Sequence, residues 1–169
     1  MQKNLVLLGM MGVGKSTLGK ILAKKLNLNF IDTDSCIEKI CSMKITEIFK
    51  KKGEKFFRLE EEKEAIKAIK KSDAVIALGG GAFLTKSVRN NILKNCISVW
   101  LSLDTKRLKK RLTWHKKRPL LNKESKLKTI NKLNTERANI YKLANYKIDC
   151  NNMSKESIVK EIINLYEKH

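Results

Sequence analysis

At 169 residues the chain is long enough to bury its own core as one domain without a disulfide or metal staple. Apolar residues make up 42% and charged residues 32%, and 37 Lys+Arg against 17 Asp+Glu leave a net charge of +20, which rules out a membrane span and argues against a disordered acidic tail. The apolar start, MQKNLVLLGMMG, runs into a glycine-rich segment instead of a small-residue cleavage site, so a cytoplasmic location is expected.

In chain order, Asn4–Leu8 forms a short apolar run ending at Gly9, and Leu18, Ile21, Leu22 and Leu26 then recur at helical spacing. This predicts strand, glycine loop, helix. Asn29–Ile31 predicts a second strand ending in Asp32 and Asp34, followed by helical patterning through Cys36, Ile37, Ile40 and Cys41. Ile45–Lys52 and Glu54–Lys71 read as helices, with Glu60–Glu62 as part of a solvated polar face. Ala74–Leu78 is β-like and breaks at Gly79-Gly80-Gly81; a short helix near Ser87–Leu93 and a strand at Ile97–Leu101 follow. Leu103–Leu112 suits a helix, whereas Trp114–Ser125 has no sustained period, holds the only proline and reads as a long mobile loop. Lys126–Leu143 returns to helix, Tyr146–Cys150 is a last strand, and Ile158, Val159, Ile162, Ile163 and Tyr166 mark a closing amphipathic helix. Five strands alternating with helices imply an α/β fold, a parallel sheet covered on both faces.

Cys36, Cys41, Cys96 and Cys150 are scattered without metal-ligand spacing and read as reduced apolar fillers. With only His115 and His169 available, a Ser-His-Asp triad or a histidine-rich metal centre is close to excluded, leaving carboxylates, lysines, arginines and backbone dipoles for any chemistry. The 31 lysines are spread along the whole chain against six arginines, with no basic arm, so they read as a solvated surface that attracts small anions and not as a specific nucleic-acid interface. A monomer is expected.

Gly9-Met10-Met11-Gly12-Val13-Gly14-Lys15-Ser16 satisfies G-x-x-x-x-G-K-[ST] between a strand and a helix, the context that makes this phosphate-binding loop credible. Backbone N–H groups of Gly12, Val13, Gly14, Lys15, Ser16 and Thr17 would curl round phosphate oxygens; Lys15 would reach the β- and γ-phosphates, and the Ser16 hydroxyl would ligate Mg²⁺. Asp32 and Asp34, two apart at a strand end, are expected to point one way, one toward the hydration shell of the metal and the other toward an acceptor hydroxyl; a helix N-cap at Asp34, which immediately precedes a helical stretch, is the structural alternative. Arginine in so lysine-rich a chain marks places where a planar donor fork is needed, and Arg58, Arg111, Arg118 and Arg137 are the candidates, with Arg89 and Arg107 left to the surface. Gly79-Gly80-Gly81 uses three of only eight glycines, which suggests close approach of a ligand to the backbone.

Taken together, GMMGVGKST, DTD, GEKFFRLEE, LGGGA, RPLL and ER-x-x-x-Y cover nearly the whole chain, and in this order it resembles shikimate kinase, a family of small P-loop kinases similar to the nucleoside-monophosphate kinases. The resemblance implies one P-loop kinase domain over residues 1–169, a parallel sheet in the order 2-3-1-4-5, a substrate-binding segment near 33–61 and a mobile lid near 113–124. It implies transfer of the ATP γ-phosphate to the 3-hydroxyl of shikimate, a step toward chorismate and the aromatic amino acids. On that pattern Asp34 binds the shikimate hydroxyls and orients or deprotonates the acceptor. Arg58 and Arg137 clamp the carboxylate, Gly80 and Gly81 offer backbone contacts, and Asp32 assists Mg²⁺. Lys15 and Arg118 stabilise the phosphoryl group in transfer, and Arg111 lies against adenine; the match is weakest after Asp149, near the adenine. A gluconate-type or other small-metabolite kinase of the same architecture, or an ATP-switched nucleic-acid-binding protein, are the competing readings.

Overall fold

The computed structural model describes residues 3–113 and 126–169. Strand β1 (Asn4–Leu8) leads to α1 (Lys15–Leu26), β2 (Asn29–Asp32), α2 (Thr33–Cys41) and α3 (Ile45–Ile69). Then come β3 (Ala74–Ala77), a 3-10 turn at Ala82–Leu84, α4 (Lys86–Asn95), β4 (Cys96–Ser102), α5 (Thr105–Thr113), α6 (Lys126–Tyr141), β5 (Tyr146–Asp149) and α7 (Lys155–Tyr166). The five strands form one sheet in the order β2-β3-β1-β4-β5, every neighbouring pair parallel. Helices flank it, as the alternation of strands and helices predicted. The stretch 114–125, expected to be a mobile loop, lies outside the described residues.

β1 occupies the centre and is apolar enough to be covered on both sides: all five of its residues are buried, and Leu5 pairs with Val75 on one flank and Ile97 on the other. Its one polar residue is fully used. The Asn4 side chain donates to the carbonyls of Ile69 and Lys71 and accepts from the N–H of Ala74, 3.0 Å away, tying the end of α3 to the start of β3. Burial pushes the Cys96 and Cys150 thiols up to about 11, which disfavours the reactive thiolate at both, and all four cysteines are free.

A second, smaller apolar cluster of Ile37, Ile48 and Phe57, with Met43, Ile45 and Phe49 against it, joins α2 to α3. Within α3, Gly53 has φ 81° and ψ 169°, so the helix breaks where the sequence pattern changes hands between Lys52 and Glu54. That break re-aims the second half of the helix. The parallel sheet then does the rest: the carboxyl ends of β1, β3 and β2 are neighbours, and they carry the phosphate loop, the triple glycine and the aspartates to one edge.

Candidate active site

The loop after β1 turns through backbone that only glycine adopts readily, with φ of 80° at Gly12 and 111° at Gly14, and opens directly into α1. Lys15 folds back over it, its Nζ donating to the carbonyls of Gly9 at 2.8 Å and Met10 at 3.1 Å. Ser16 donates its hydroxyl to Asp32 Oδ2 at 2.5 Å. From α5, Arg111 Nη1 donates to the Val13 carbonyl at 2.9 Å, which lays its guanidinium across the loop. Gly12, Val13, Gly14, Lys15, Ser16 and Thr17 line one groove together with Asp32, Lys110, Arg111, Met153 and Lys155. The loop after Asp149 and the start of α7 thus reach this groove through Met153 and Lys155.

Asp32 and Asp34 do not alternate along a strand. Asp32 is the last residue of β2 and N-caps α2, its Oδ1 accepting from the Ser35 N–H at 3.2 Å, while Asp34 already sits in the first helical turn. The capping role considered for Asp34 therefore belongs to Asp32. The change of geometry separates their jobs: Asp32 faces Ser16 across 2.5 Å, and Asp34 lines both the groove and an adjoining cavity.

That cavity is walled by Met11, Ile45, Phe49 and Phe57 on the apolar side and by Asp34, Arg58, Glu61, Gly80, Gly81 and Arg137 on the polar side. The triple glycine makes room for its charges. A Cβ on Gly79 would stand 2.7 Å from Asp34 Oδ1 and 2.7 Å from Glu61 Oε1, and one on Gly80 would stand 3.0 Å from Arg137 Nη1. One on Gly81 would overlap Arg58 Nη1. None of the three has a positive φ, so the requirement is space and not backbone conformation.

Two arginines on different helices meet here. Arg137, in α6, is only 3% exposed, and its Nε has no hydrogen-bond partner among the described residues. A buried guanidinium with an open donor is the kind of group that waits for an anionic ligand. Arg58, in α3, donates Nη1 to Glu61 at 2.7 Å and both Nε and Nη2 to Glu54 Oε1, at 3.3 and 3.0 Å. Ionisation of Arg58 is favoured: its pKa is raised because the attraction of Glu61 and Glu54 outweighs its own burial. For Glu61 burial wins, and its pKa is pushed up in spite of Arg58.

Two participants lie within motifs that the sequence marked but carried no role there. Glu61 belongs to a charge run expected to be solvated, yet it is 2% exposed and also accepts the Gly81 N–H at 3.2 Å. Its position three residues after Arg58 on one helix was the available signal. Tyr141, four residues after Arg137, donates its hydroxyl to the Gly80 carbonyl at 2.5 Å, and burial pushes its pKa up to about 12. Arg89 and Arg107, assigned to the surface, have structural partners: Arg89 closes the 3-10 turn through the Phe83 and Leu84 carbonyls, and Arg107 reaches Asn152 at 3.1 Å. Arg118 lies outside the described residues.

A family model described as shikimate kinase matches residues 11–167. The chain belongs to the shikimate kinase family. A curated shikimate kinase of Bartonella quintana (strain Toulouse) is 42% identical over 162 residues, 96% of this chain and 77% of that relative. Among solved structures, the shikimate kinase from Acinetobacter baumannii in complex with shikimate superposes with a TM-score of 0.94 at 31% identity, covering 99% of this chain and 94% of the other. A gluconokinase from Sinorhizobium meliloti, at 16% identity and a TM-score of 0.59, shares the fold alone.

Proposed function

We propose that the protein transfers the γ-phosphate of ATP to the 3-hydroxyl of shikimate, giving shikimate 3-phosphate and ADP, a step toward chorismate and the aromatic amino acids. The observation that carries this reading is the cavity beside the phosphate loop, where Arg58 and Arg137 converge from separate helices and Asp34 stands on the boundary with the nucleotide groove. A cyclic hydroxy acid suits it: the guanidinium groups take the carboxylate, Phe49, Phe57 and Met11 face the ring, and Asp34 takes the hydroxyls.

In this reading the nucleotide lies along α1's N-terminus, where the loop N–H groups and the helix dipole hold its phosphates. Lys15 moves from the Gly9 and Met10 carbonyls to the β- and γ-phosphates, and Arg111 covers the adenine side. Asp34 orients the 3-hydroxyl and accepts its proton while the new O–P bond forms and the bond to the β-phosphate oxygen breaks. The pairing of a hydroxyl with a carboxylate at Ser16 and Asp32 is a hard oxygen set that fits Mg²⁺, and these two residues would hold the ion, Asp32 in an assisting role. When bound, the ion supplies charge neutralisation on the phosphates. Gly80 and Gly81 present backbone to the carboxylate end, and Arg118 joins the phosphates from the lid segment 113–124.

The protein is further proposed to work as one kinase domain over residues 1–169, substrate segment 33–61 included, as a cytoplasmic monomer without a specific nucleic-acid partner. Among the described residues no helix is long and apolar enough to cross a membrane. Purified protein with Mg²⁺ and ATP tests the central reading: ADP release should depend on shikimate and be absent with gluconate and other hydroxy acids. Equal turnover of gluconate would replace it with the small-metabolite alternative, and ADP release stimulated only by polyanion would favour the ATP-switched one.

A further inference from the structure

Arg58 is already holding a carboxylate. Its Nη1 is committed to buried Glu61, but the edge formed by Nε and Nη2, one of the two faces a guanidinium can offer to a carboxylate, is closed by a single oxygen of Glu54. The two acids are unlike each other. Glu61 has a 3% exposed side chain and a second bond from the Gly81 N–H, whereas the Glu54 side chain is 57% exposed, and no other bond to it is seen among the described residues. The first is an anchor and the second is a weak, solvent-screened i,i+4 pair.

We infer that Glu54 is a stand-in for the substrate's carboxylate: it competes for the Nε/Nη2 edge of Arg58 and is displaced from it when the substrate binds. The inference rests on the reading of Arg58 as a carboxylate clamp given above. Position explains why displacement is easy. Glu54 directly follows Gly53, whose φ of 81° interrupts α3, so Glu54 begins the second helical segment. A carboxylate released there stays at a helix N-terminus, where the dipole favours negative charge, and α3 supplies Lys50, Lys51, Lys52 and Lys55 close by in sequence. Its presence keeps the Arg58 fork extended and neutralised until a better bidentate partner arrives. Its departure also avoids crowding three carboxylates, Glu54, Glu61 and the ligand's, round one guanidinium. Glu54 is thus a positioning residue that tunes affinity for the anionic end of the substrate.

The competition has a sign. Removing the charge of Glu54 should tighten binding of a carboxylate ligand, whereas a residue that helps hold the bound substrate would weaken it when removed. Shikimate and its neutral carboxamide are titrated calorimetrically into the parent, Glu54→Gln, Arg58→Ala and the double variant at low ionic strength. The expected result is a Kd for shikimate two- to threefold lower in Glu54→Gln, no change for the carboxamide, and no effect of Glu54→Gln once Arg58 is Ala. Unchanged or weaker shikimate binding in Glu54→Gln overturns the inference, and so does equal tightening of the carboxamide. Failure of the parent to bind shikimate would be a separate result: it overturns the proposed function, and the stand-in role with it.

Discussion

Gly81 and Arg58 share one space: a Cβ on Gly81 would overlap the Arg58 Nη1 and stand 2.8 Å from Glu61 Oε2. Gly81→Ala must therefore move the arginine fork off its anchor. The clashing atoms are side-chain tips, so the fold should survive while the clamp does not. Shikimate affinity is expected to drop about tenfold or more, the scale of one hydrogen bond to a charged group, with an unchanged circular dichroism spectrum. Parent affinity in Gly81→Ala would show that Arg58 is not held where the ligand needs it.

Arg58→Lys and Arg137→Lys keep the charge and lose the fork. Each should weaken shikimate binding by about 1.5–3 kcal/mol, as measured by calorimetry. Arg137→Lys should in addition lower thermal stability more than Arg58→Lys, because Arg137 is buried and Arg58 is about one-third exposed. Unaltered affinity in both variants would sink the clamp.

Lys15→Ala and Asp34→Asn act on the reacting centre. Loss of the lysine charge should cut kcat by ~10²–10³, the range seen for removing one preorganised electrostatic contact, and loss of the Asp34 carboxylate by ~10²–10⁴. Shikimate-dependent ADP release measures both. A folded Asp34→Asn protein with half the parent rate would remove Asp34 from proton transfer.

Glu61 gives the protein a pH dependence of definite sign. Burial raises its pKa above 4.5, Arg58 opposes the rise, Asp34 adds to it, and the Gly81 N–H opposes it. The folded state therefore holds the Glu61 proton more tightly than the unfolded chain does. Its stabilising contribution is fully present below about 4.5 and is lost as pH rises through the folded value. Compared with Glu61→Gln, the parent should gain relative stability as pH is lowered from 7 toward 4.5, in parallel urea titrations. The opposite trend would mean that pairing with Arg58 outweighs burial.

Arg118→Ala should reduce kcat far more than it weakens shikimate binding, since its proposed partner is the phosphate in transfer. Lys116→Ala and Lys117→Ala should alter little beyond salt sensitivity. Steady-state kinetics over a range of ionic strengths separates the three.

Local pattern made the elements legible. Short runs of three to five residues marked the strands, helical spacing marked the helices, and the break at Gly53 showed as a change of pattern between Lys52 and Glu54. The phosphate loop was legible too, because its chemistry is written in consecutive residues between a strand and a helix. What sequence could not supply was direction in space. Asp32 and Asp34 were expected to share a face as strand neighbours, but the chain passes from strand to helix between them, and a helix turns about 100° per residue where a strand alternates. The charge run Glu60–Glu62 read as solvated surface, and the spacing of Glu61 from Arg58 pointed to a pair but not to its burial, since a helix surface shows its inward face only once another element covers it. Tertiary structure decided that cover. By placing β2, β3 and β1 side by side, the parallel sheet set Gly79, Gly80 and Gly81 against Asp34, Arg137, Arg58 and Glu61, and the missing Cβ atoms left the volume in which those four charges meet.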